Sequence, residues 1–132
     1  MSQENVEIVR LIYAEWERGN FWTPEFFDPE VHVRWASPIF TPQAETHGTE
    51  ALTKALQGML EAYEQVTATA ERIIDTTGQV VVADVWHGRG KASGIELDSR
   101  RASVWTISGG KAAGVVFYDA RPDPLEAAGL SE

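Results

Sequence analysis

The sequence has 132 residues and a mass of 14.6 kDa, which is the size of one domain, and its 43% hydrophobic and 23% charged residues are typical of a globular protein. Twenty acidic against eleven basic residues give a net charge of -9. This charge disfavours nucleic acid as a partner, because a phosphate backbone attracts clusters of Lys and Arg. The chain has no cysteine, which excludes disulfides, thiol nucleophiles and zinc-cysteine sites.

The sequence also predicts where the protein is located. No apolar run approaches the roughly 20 residues that a membrane-spanning helix requires. Residues 1–5 contain neither the basic stretch nor the apolar core of a signal peptide. We therefore expect a single domain over residues 1–132, located in the cytoplasm and without a membrane partner.

The first half of the chain predicts two amphipathic helices. Over residues 2–18, apolar side chains recur at helical spacing, and Gly19 is placed to end the helix. This face consists of Val6, Val9, Ile12, Tyr13 and Trp16. Thr49 is placed to cap a second helix. Its apolar face consists of Leu52, Leu56, Met59, Leu60 and Tyr63.

Shorter elements lie between these helices. Thr23 and Pro24 predict the start of a short turn of helix over residues 25–28. Residues 31–35 are typical of a short strand. Residues 37–48 contain two prolines and predict a loop that is long enough to form the rim or lid of a site.

The second half of the chain predicts an antiparallel meander of four strands. The strands cover residues 66–75, 80–90, 95–107 and 112–119. The turns between them contain Thr77-Gly78, Ser93-Gly94 and Gly109-Gly110. A brief C-terminal helix is predicted to begin at Asp123. Two helices followed by a twisted meander indicate an α+β fold, in which the helices pack on the concave face of a curved, mainly antiparallel sheet and form a cone with an open end.

Turn lengths predict which side chains point into the cone. A two-residue turn at Ser93-Gly94 places Asp84 opposite Ser103, and a three-residue turn over residues 108–110 places Val115 opposite Ser103. The face shared by these residues is apolar apart from four polar positions. Its members are Val80, Val82, Asp84, Trp86, Arg101, Ser103, Trp105, Ile107, Val115, Phe117 and Asp119. We expect this face to line an apolar pocket for a small apolar molecule.

The opposite face of the same strands is apolar as well. It consists of Val81, Ala83, Val85, Val104, Val116 and Tyr118. A monomer has little reason to make both faces of a sheet apolar, so the outer face predicts a homodimer. His87 also lies on this outer face, where an exposed or interface position is favoured over a catalytic one.

Four stretches of the chain carry a resemblance to a known family. They are residues 9–20 (VRLIYAEWERGN), 88–96 (GRGKASGIE), 104–111 (VWTISGGK) and 118–130. Together they resemble the nuclear transport factor 2-like superfamily, in its SnoaL-like, polyketide-cyclase-like branch. The resemblance implies a curved sheet wrapped on helices, a deep pocket between them and frequent dimerisation. It does not imply one chemistry, because the superfamily includes isomerases, cyclases, epoxide hydrolases, dehydratases and non-catalytic domains.

The sequence departs from two catalytic patterns of this superfamily. The ketosteroid isomerases use an Asp base with a Tyr and a protonated Asp. Here no carboxylate stands at residues 35–37, Ser103 stands in the place of the second Asp, and Tyr13 is one residue out of register with the isomerase Tyr. The epoxide hydrolases use an Asp-Arg-Asp set, of which Arg101 matches the Arg while Ser103 again replaces an Asp. Asp84 and Asp119 could substitute from neighbouring strands.

These comparisons leave two classes of function open. In the first, the chain is an enzyme that transfers a proton in an apolar pocket, without metal or organic cofactor. The candidate catalytic residues are Asp84, Asp119, Arg101 and Tyr13. The candidate ligand-binding residues are Trp16, Trp35, Val82, Trp86, Ser103, Trp105, Val115 and Phe117. In the second class, the chain is a non-catalytic binding or accessory domain, and Asp84 forms a structural ion pair with Arg101.

Overall fold

The computed structural model describes residues 2–36, 45–76 and 78–118. Within these ranges, some side chains, including that of Trp35, are not described. Two helices, one short 3-10 helix and six strands follow each other along these residues. They are α1 (Ser2–Glu17), the 3-10 helix (Pro24–Phe26), β1 (Phe27–Ala36), β2 (Glu45–His47), α2 (Gly48–Ala62), β3 (Tyr63–Thr76), β4 (Gln79–Gly90), β5 (Glu96–Ser108) and β6 (Lys111–Tyr118). Asp119 and the predicted C-terminal helix lie outside the described residues.

Both predicted helices are confirmed, but Tyr63, which was predicted on the second helix, begins β3 instead. The inward face of α1 is buried at Val9, Ile12, Tyr13 and Trp16, which follow each other at helical spacing. The helix ends where Gly19 adopts a φ of +84°, a conformation that glycine accepts without strain, and the Gly19 amide donates to the Trp16 carbonyl at 3.0 Å. In α2, the side chains of Leu52 and Leu56 are buried one turn apart.

The six strands form one sheet in the order β2-β1-β6-β5-β4-β3. Only β1 and β6 are parallel neighbours, and every other pairing among the described strands is antiparallel. The predicted loop over residues 37–48 is wrong at its end, because Glu45–His47 form β2 and pair with β1. Residues 37–44, where a rim or lid was predicted, lie outside the described residues.

The predicted register between β4 and β5 is wrong by two residues. Asp84 lies opposite Arg101, and Val82 lies opposite Ser103. The cause is a longer turn than the predicted pair Ser93-Gly94, since the Gly90 amide donates to the Ile95 carbonyl at 3.0 Å across residues 91–94.

The predicted register between β5 and β6 is also wrong by two residues, since Ser103 lies opposite Phe117 and Trp105 opposite Val115. Gly109 and Gly110 alone form this turn. Both have positive φ, as a two-residue type I′ turn requires, and the irregularity lies further along the strands, between Thr106 and Ile107.

The predicted inward and outward faces of the strands are still correct despite both errors, because a shift of two residues leaves each side chain on the same face of the sheet. The inward face of β4, β5 and β6 packs against α1, and its apolar members join one buried core. They are Val80, Val82, Trp86, Trp105, Ile107, Val115 and Phe117.

The outer face of the sheet is already partly covered in a single chain. Val81, Ala83, Ala102 and Val104 are buried, whereas Val85 and Val116 are half-buried. The need to cover an exposed apolar face therefore gives the homodimer less support than the sequence suggested. Neither described helix is long and apolar enough to span a membrane.

Candidate acid-base site

Asp84 lies in the middle of β4 on its inward face, where it is fully buried. The Tyr13 hydroxyl of α1 donates a hydrogen bond to Asp84 Oδ2 at 2.5 Å. Two candidate catalytic residues that are 71 positions apart in the sequence are thus brought into direct contact. The alternation of β4 side chains and the helical phase of Tyr13 together place them there.

Ser103 and Trp105 extend this contact along the inward face of β5. Ser103 Oγ lies 2.8 Å from the Tyr13 hydroxyl oxygen, and Trp105 Nε1 donates to Ser103 Oγ at 2.9 Å. The four side chains form a continuous polar chain inside an apolar core, and we call this set (Trp105, Ser103, Tyr13 and Asp84) the buried relay.

The direction of the hydrogen bonds in the buried relay follows from donor chemistry. An indole N–H can only donate, so the Trp105 proton points to Ser103. The Tyr13 proton points to Asp84, which leaves the Ser103 hydroxyl to donate to the Tyr13 oxygen. All three donors therefore point the same way and end on the Asp84 carboxyl group, an arrangement in which each bond strengthens the next.

Tyr13 is held in its protonated form. Burial raises the pKa of the Tyr13 hydroxyl well above its ordinary value, and the negative charge of Asp84 and the hydrogen bond to Asp84 raise it further. The polar groups of Ser103 and Trp105 oppose this shift. The net effect keeps Tyr13 a hydrogen-bond donor to Asp84 over the whole neutral range.

Aromatic rings surround the buried relay. The Trp16 ring centroid lies 5.2 Å from that of Tyr13, 5.8 Å from that of Trp105 and 5.5 Å from that of Trp86. The indole nitrogens of Trp16 and Trp86 are buried and have no hydrogen-bond partner in the part of the chain described. Leaving such a donor unsatisfied costs about 1–3 kcal/mol, so these two nitrogens are an unusual feature of this core.

We call the rings of Tyr13, Trp16, Trp86 and Trp105 the aromatic cluster. A cleft of about 320 Å³ opens beside it, and Trp86 forms part of the cleft wall. Its wall consists of Tyr63, Val66, Trp86, His87, Gly88, Asp98, Ser99 and Arg101. The Arg101 guanidinium carbon lies 5.6 Å from the Trp86 ring centroid, and Arg101 Nε donates to Ser99 Oγ at 3.1 Å. The cleft therefore has an apolar side and a charged side, the latter with both Arg101 and Asp98.

The remaining predicted residues fall into three groups. Trp16, Val82, Val115 and Phe117 are buried core residues around the relay. Trp35 lies opposite Phe117 on β1, but its side chain is outside the described residues, as is Asp119. His87 is exposed, as expected, with its Nδ1 at 2.5 Å from Asp98 Oδ1. Within the described ranges, no group of three metal-ligating side chains comes together.

Sequence reasoning missed how Ser103 and Trp105 act together. It placed Ser103 beside Asp84, whereas Ser103 contacts Tyr13 and receives the Trp105 proton. The signal in the sequence was their i, i+2 spacing on one strand, which places both side chains on the same face.

A family model, the SnoaL-like domain, matches residues 9–115 of the sequence. The chain belongs to the SnoaL-like family. No curated protein matches its sequence. The family assignment agrees with the resemblance that the four sequence stretches carry.

Solved structures confirm the cone-shaped α+β fold of this SnoaL-like chain. A candidate SnoaL-like polyketide cyclase from Jannaschia sp. CCS1 has a TM-score of 0.76 at 16% identity, over 96% of this chain and 90% of that one. An NTF2-like protein of unknown function from Burkholderia pseudomallei K96243 has a TM-score of 0.72 at 17% identity, over 96% of both chains. A Catenulispora acidiphila protein with a ketosteroid isomerase-like fold, in complex with trimethylamine, has a TM-score of 0.69 at 17% identity, over 95% and 94%.

Proposed function

We propose that this SnoaL-like chain binds a small, largely apolar molecule next to the buried relay, and that Asp84 exchanges a proton with that molecule. The observation that carries this proposal is the contact of the Tyr13 hydroxyl with Asp84 at 2.5 Å, inside a core of aromatic rings. A general base and a hydrogen-bond donor are thereby held together in an apolar setting.

The buried relay is an energetically costly way to build a core. A buried carboxyl group is destabilising unless it is well paired, and apolar residues of similar size often give an equal or more stable core. Tyr13, Ser103 and Trp105 offset part of this cost by directing their hydrogen bonds toward Asp84. A buried base that is poised by its neighbours is what proton transfer requires.

The cleft beside Trp86 supports a route for the ligand. It has the volume of a small-molecule site, and Trp86, which lines it, packs on the Trp16 ring next to the relay. In the structure Asp84 and Ser103 have no exposed surface. Binding therefore requires the Trp86 ring to move, which places the ligand between the cleft and Asp84.

The proposed step conserves protons. The Asp84 carboxylate removes a proton from a carbon next to the ligand's carbonyl group. The electron pair of the C–H bond forms a carbon–carbon double bond, and the π electron pair of the carbonyl group moves onto its oxygen to give an enolate. Protonated Asp84 accepts a weaker hydrogen bond from Tyr13, so the Tyr13 hydroxyl becomes able to donate to the new oxyanion. Return of the proton to the same carbon or to a neighbouring one regenerates Asp84.

The test is proton exchange in a simple ketone. β-Tetralone has an aromatic ring and acidic protons beside its carbonyl group, and NMR in D2O measures how fast those protons are replaced. We expect the protein to accelerate the exchange above the buffer rate. Asp84→Asn is expected to lower the rate of protein-catalysed exchange by about a hundredfold or more, which is the contribution that a general base makes.

Two further variants sharpen this test. Asp75→Asn removes an exposed carboxylate on β3 and is expected to exchange as the wild type does. Tyr13→Phe keeps Asp84 and is expected to slow the exchange without abolishing it. Equal rates in the wild type and in Asp84→Asn would show that Asp84 is not the base.

The second candidate is a non-catalytic binding domain, and one observation favours it. The relay is closed, since Asp84 and Ser103 have 0% and Tyr13 has 4% exposed surface. This function predicts that β-tetralone binds without faster exchange.

The epoxide-hydrolase alternative requires Asp119 beside Arg101, and its test is hydrolysis of an apolar epoxide by the wild type and by Arg101→Lys.

A further inference from the structure

Two indole N–H groups lie buried in the aromatic cluster without an acceptor. Trp16 Nε1 and Trp86 Nε1 have no hydrogen-bond partner among the described residues, and both rings are buried. An indole nitrogen is a donor only, so each needs an oxygen or another acceptor from elsewhere. Such groups are rare in folded proteins and call for an explanation.

The third indole of the cluster provides an internal comparison. Trp105 is as deeply buried as Trp16, but its Nε1 donates to Ser103 Oγ at 2.9 Å. Among the described residues, the core therefore supplies an acceptor to one indole and none to two others. The core thus holds two buried donors that packing alone does not require.

The two rings that carry these donors form a row of contacts from the cleft to the relay. The Trp16 and Trp86 ring centroids are 5.5 Å apart, Trp16 packs on Tyr13 at 5.2 Å, and Trp86 lines the cleft. A molecule that moves from the cleft toward Asp84 along this row meets the Trp86 ring first and the Trp16 ring next.

We propose that the indole N–H groups of Trp16 and Trp86 bind an oxygen atom of the ligand. This oxygen is a hydrogen-bond acceptor and belongs to a ketone, ester or enolate group. This inference rests on the proposed function and adds to it the two residues that bind the ligand's oxygen. Two neutral donors suit a carbonyl oxygen and do not suit an ammonium group, which cannot accept. When Asp84 takes a proton from the ligand, this oxygen gains negative charge and its hydrogen bonds become stronger.

The experiment compares β-tetralone with tetralin, the hydrocarbon of the same ring skeleton. The indole N–H signals of the five tryptophans are followed by NMR in protein with ¹⁵N-labelled tryptophan, and single Trp→Phe variants assign them. We expect β-tetralone to move the Trp16 and Trp86 signals downfield, as new hydrogen bonds do, and tetralin to leave them without a downfield shift. We also expect β-tetralone to bind about tenfold or more tightly than tetralin.

Variants test the donors one at a time. Trp86→Phe and Trp16→Phe are expected to weaken β-tetralone binding severalfold while changing tetralin binding much less. Replacement of either residue by benzothienylalanine keeps the size of the ring and removes only the N–H, so it separates the hydrogen bond from the packing. Trp22→Phe is the matched control, because Trp22 is 59% exposed and lies outside the cluster.

The outcomes separate this inference from the proposed function. If both ligands bind equally well and the two indole signals respond alike, the acceptor inference is wrong while small-molecule binding stands. If neither ligand binds, the proposed function fails and this inference fails with it. A β-tetralone preference that persists in the benzothienylalanine variants would also overturn the assignment of the two donors.

Discussion

At the scale of single residues, Tyr13 couples the stability of the protein to alkaline pH. Its folded pKa is raised, so the folded chain keeps the Tyr13 proton at a pH where the unfolded chain, with a tyrosine pKa of about 10, releases it. Tyr13 therefore stabilises the fold fully below pH ~10, and this contribution falls as pH rises further. We expect the free energy of unfolding to decline above this pH by up to about 1.4 kcal/mol per pH unit from this one group.

Urea unfolding at several alkaline pH values tests this prediction. Tyr13→Phe is expected to be less stable than the wild type at neutral pH and to decline less steeply above pH ~10. Parallel pH profiles for the two proteins would mean that Tyr13 is not the group responsible.

Ser103 connects Tyr13 and Trp105 in the buried relay, so its replacement removes a hydrogen-bond partner from each of them. In Ser103→Ala, Trp105 Nε1 loses its acceptor and the Tyr13 oxygen loses a donor. We expect a loss of about 1–3 kcal/mol in the free energy of unfolding, the cost of unsatisfied buried polar groups. Ser108→Ala, at the exposed end of β5, is the control and is expected to change stability by less than about 0.5 kcal/mol.

At the scale of elements, the hairpin between β5 and β6 depends on positive φ at Gly109 and Gly110, which have φ values of 60° and 77°. Asn accepts this conformation, whereas a β-branched residue does not. We expect Gly109→Asn to keep or raise the thermal midpoint and Gly109→Val to lower it, by the equivalent of about 1–2 kcal/mol. Equal midpoints for the two variants would contradict the type I′ assignment.

The elements also show how far the sequence alone predicts this molecule. The inward positions of Asp84 and Ser103 were predictable because strand alternation is local and tolerates a two-residue error in register. The register itself depended on turn length, which the sequence around Ser93-Gly94 does not determine. The parallel pairing of β1 with β6 joins residues far apart in sequence, and no local pattern predicts it.

The sequence predicted only part of the contact between Tyr13 and Asp84. Each residue was assigned to an inward face, but their meeting depends on how α1 crosses the sheet, which is a matter of packing. The sequence also did not show that the indoles of Trp16 and Trp86 would lack an acceptor among the described residues, because it does not distinguish one tryptophan's surroundings from another's.

At the scale of the whole molecule, self-association remains a prediction. The half-buried outer residues Val85 and Val116 are the surface that a second copy would cover. We expect light scattering to give the mass of a dimer at micromolar concentration and Val85→Lys to shift it toward the monomer. A monomer mass for the wild type would end this prediction and would leave the relay unaffected.

The central claim is that the buried Tyr13–Asp84 pair meets a bound molecule. A crystal structure of the complex with β-tetralone tests it most directly. We predict that the carbon beside the ketone lies roughly 3–3.5 Å from an Asp84 carboxyl oxygen, the distance of a reacting pair, with the Trp86 ring displaced toward the cleft. Density for the ligand on the outer face of the sheet, or in the cleft with Asp84 still enclosed by the aromatic rings, would contradict the claim.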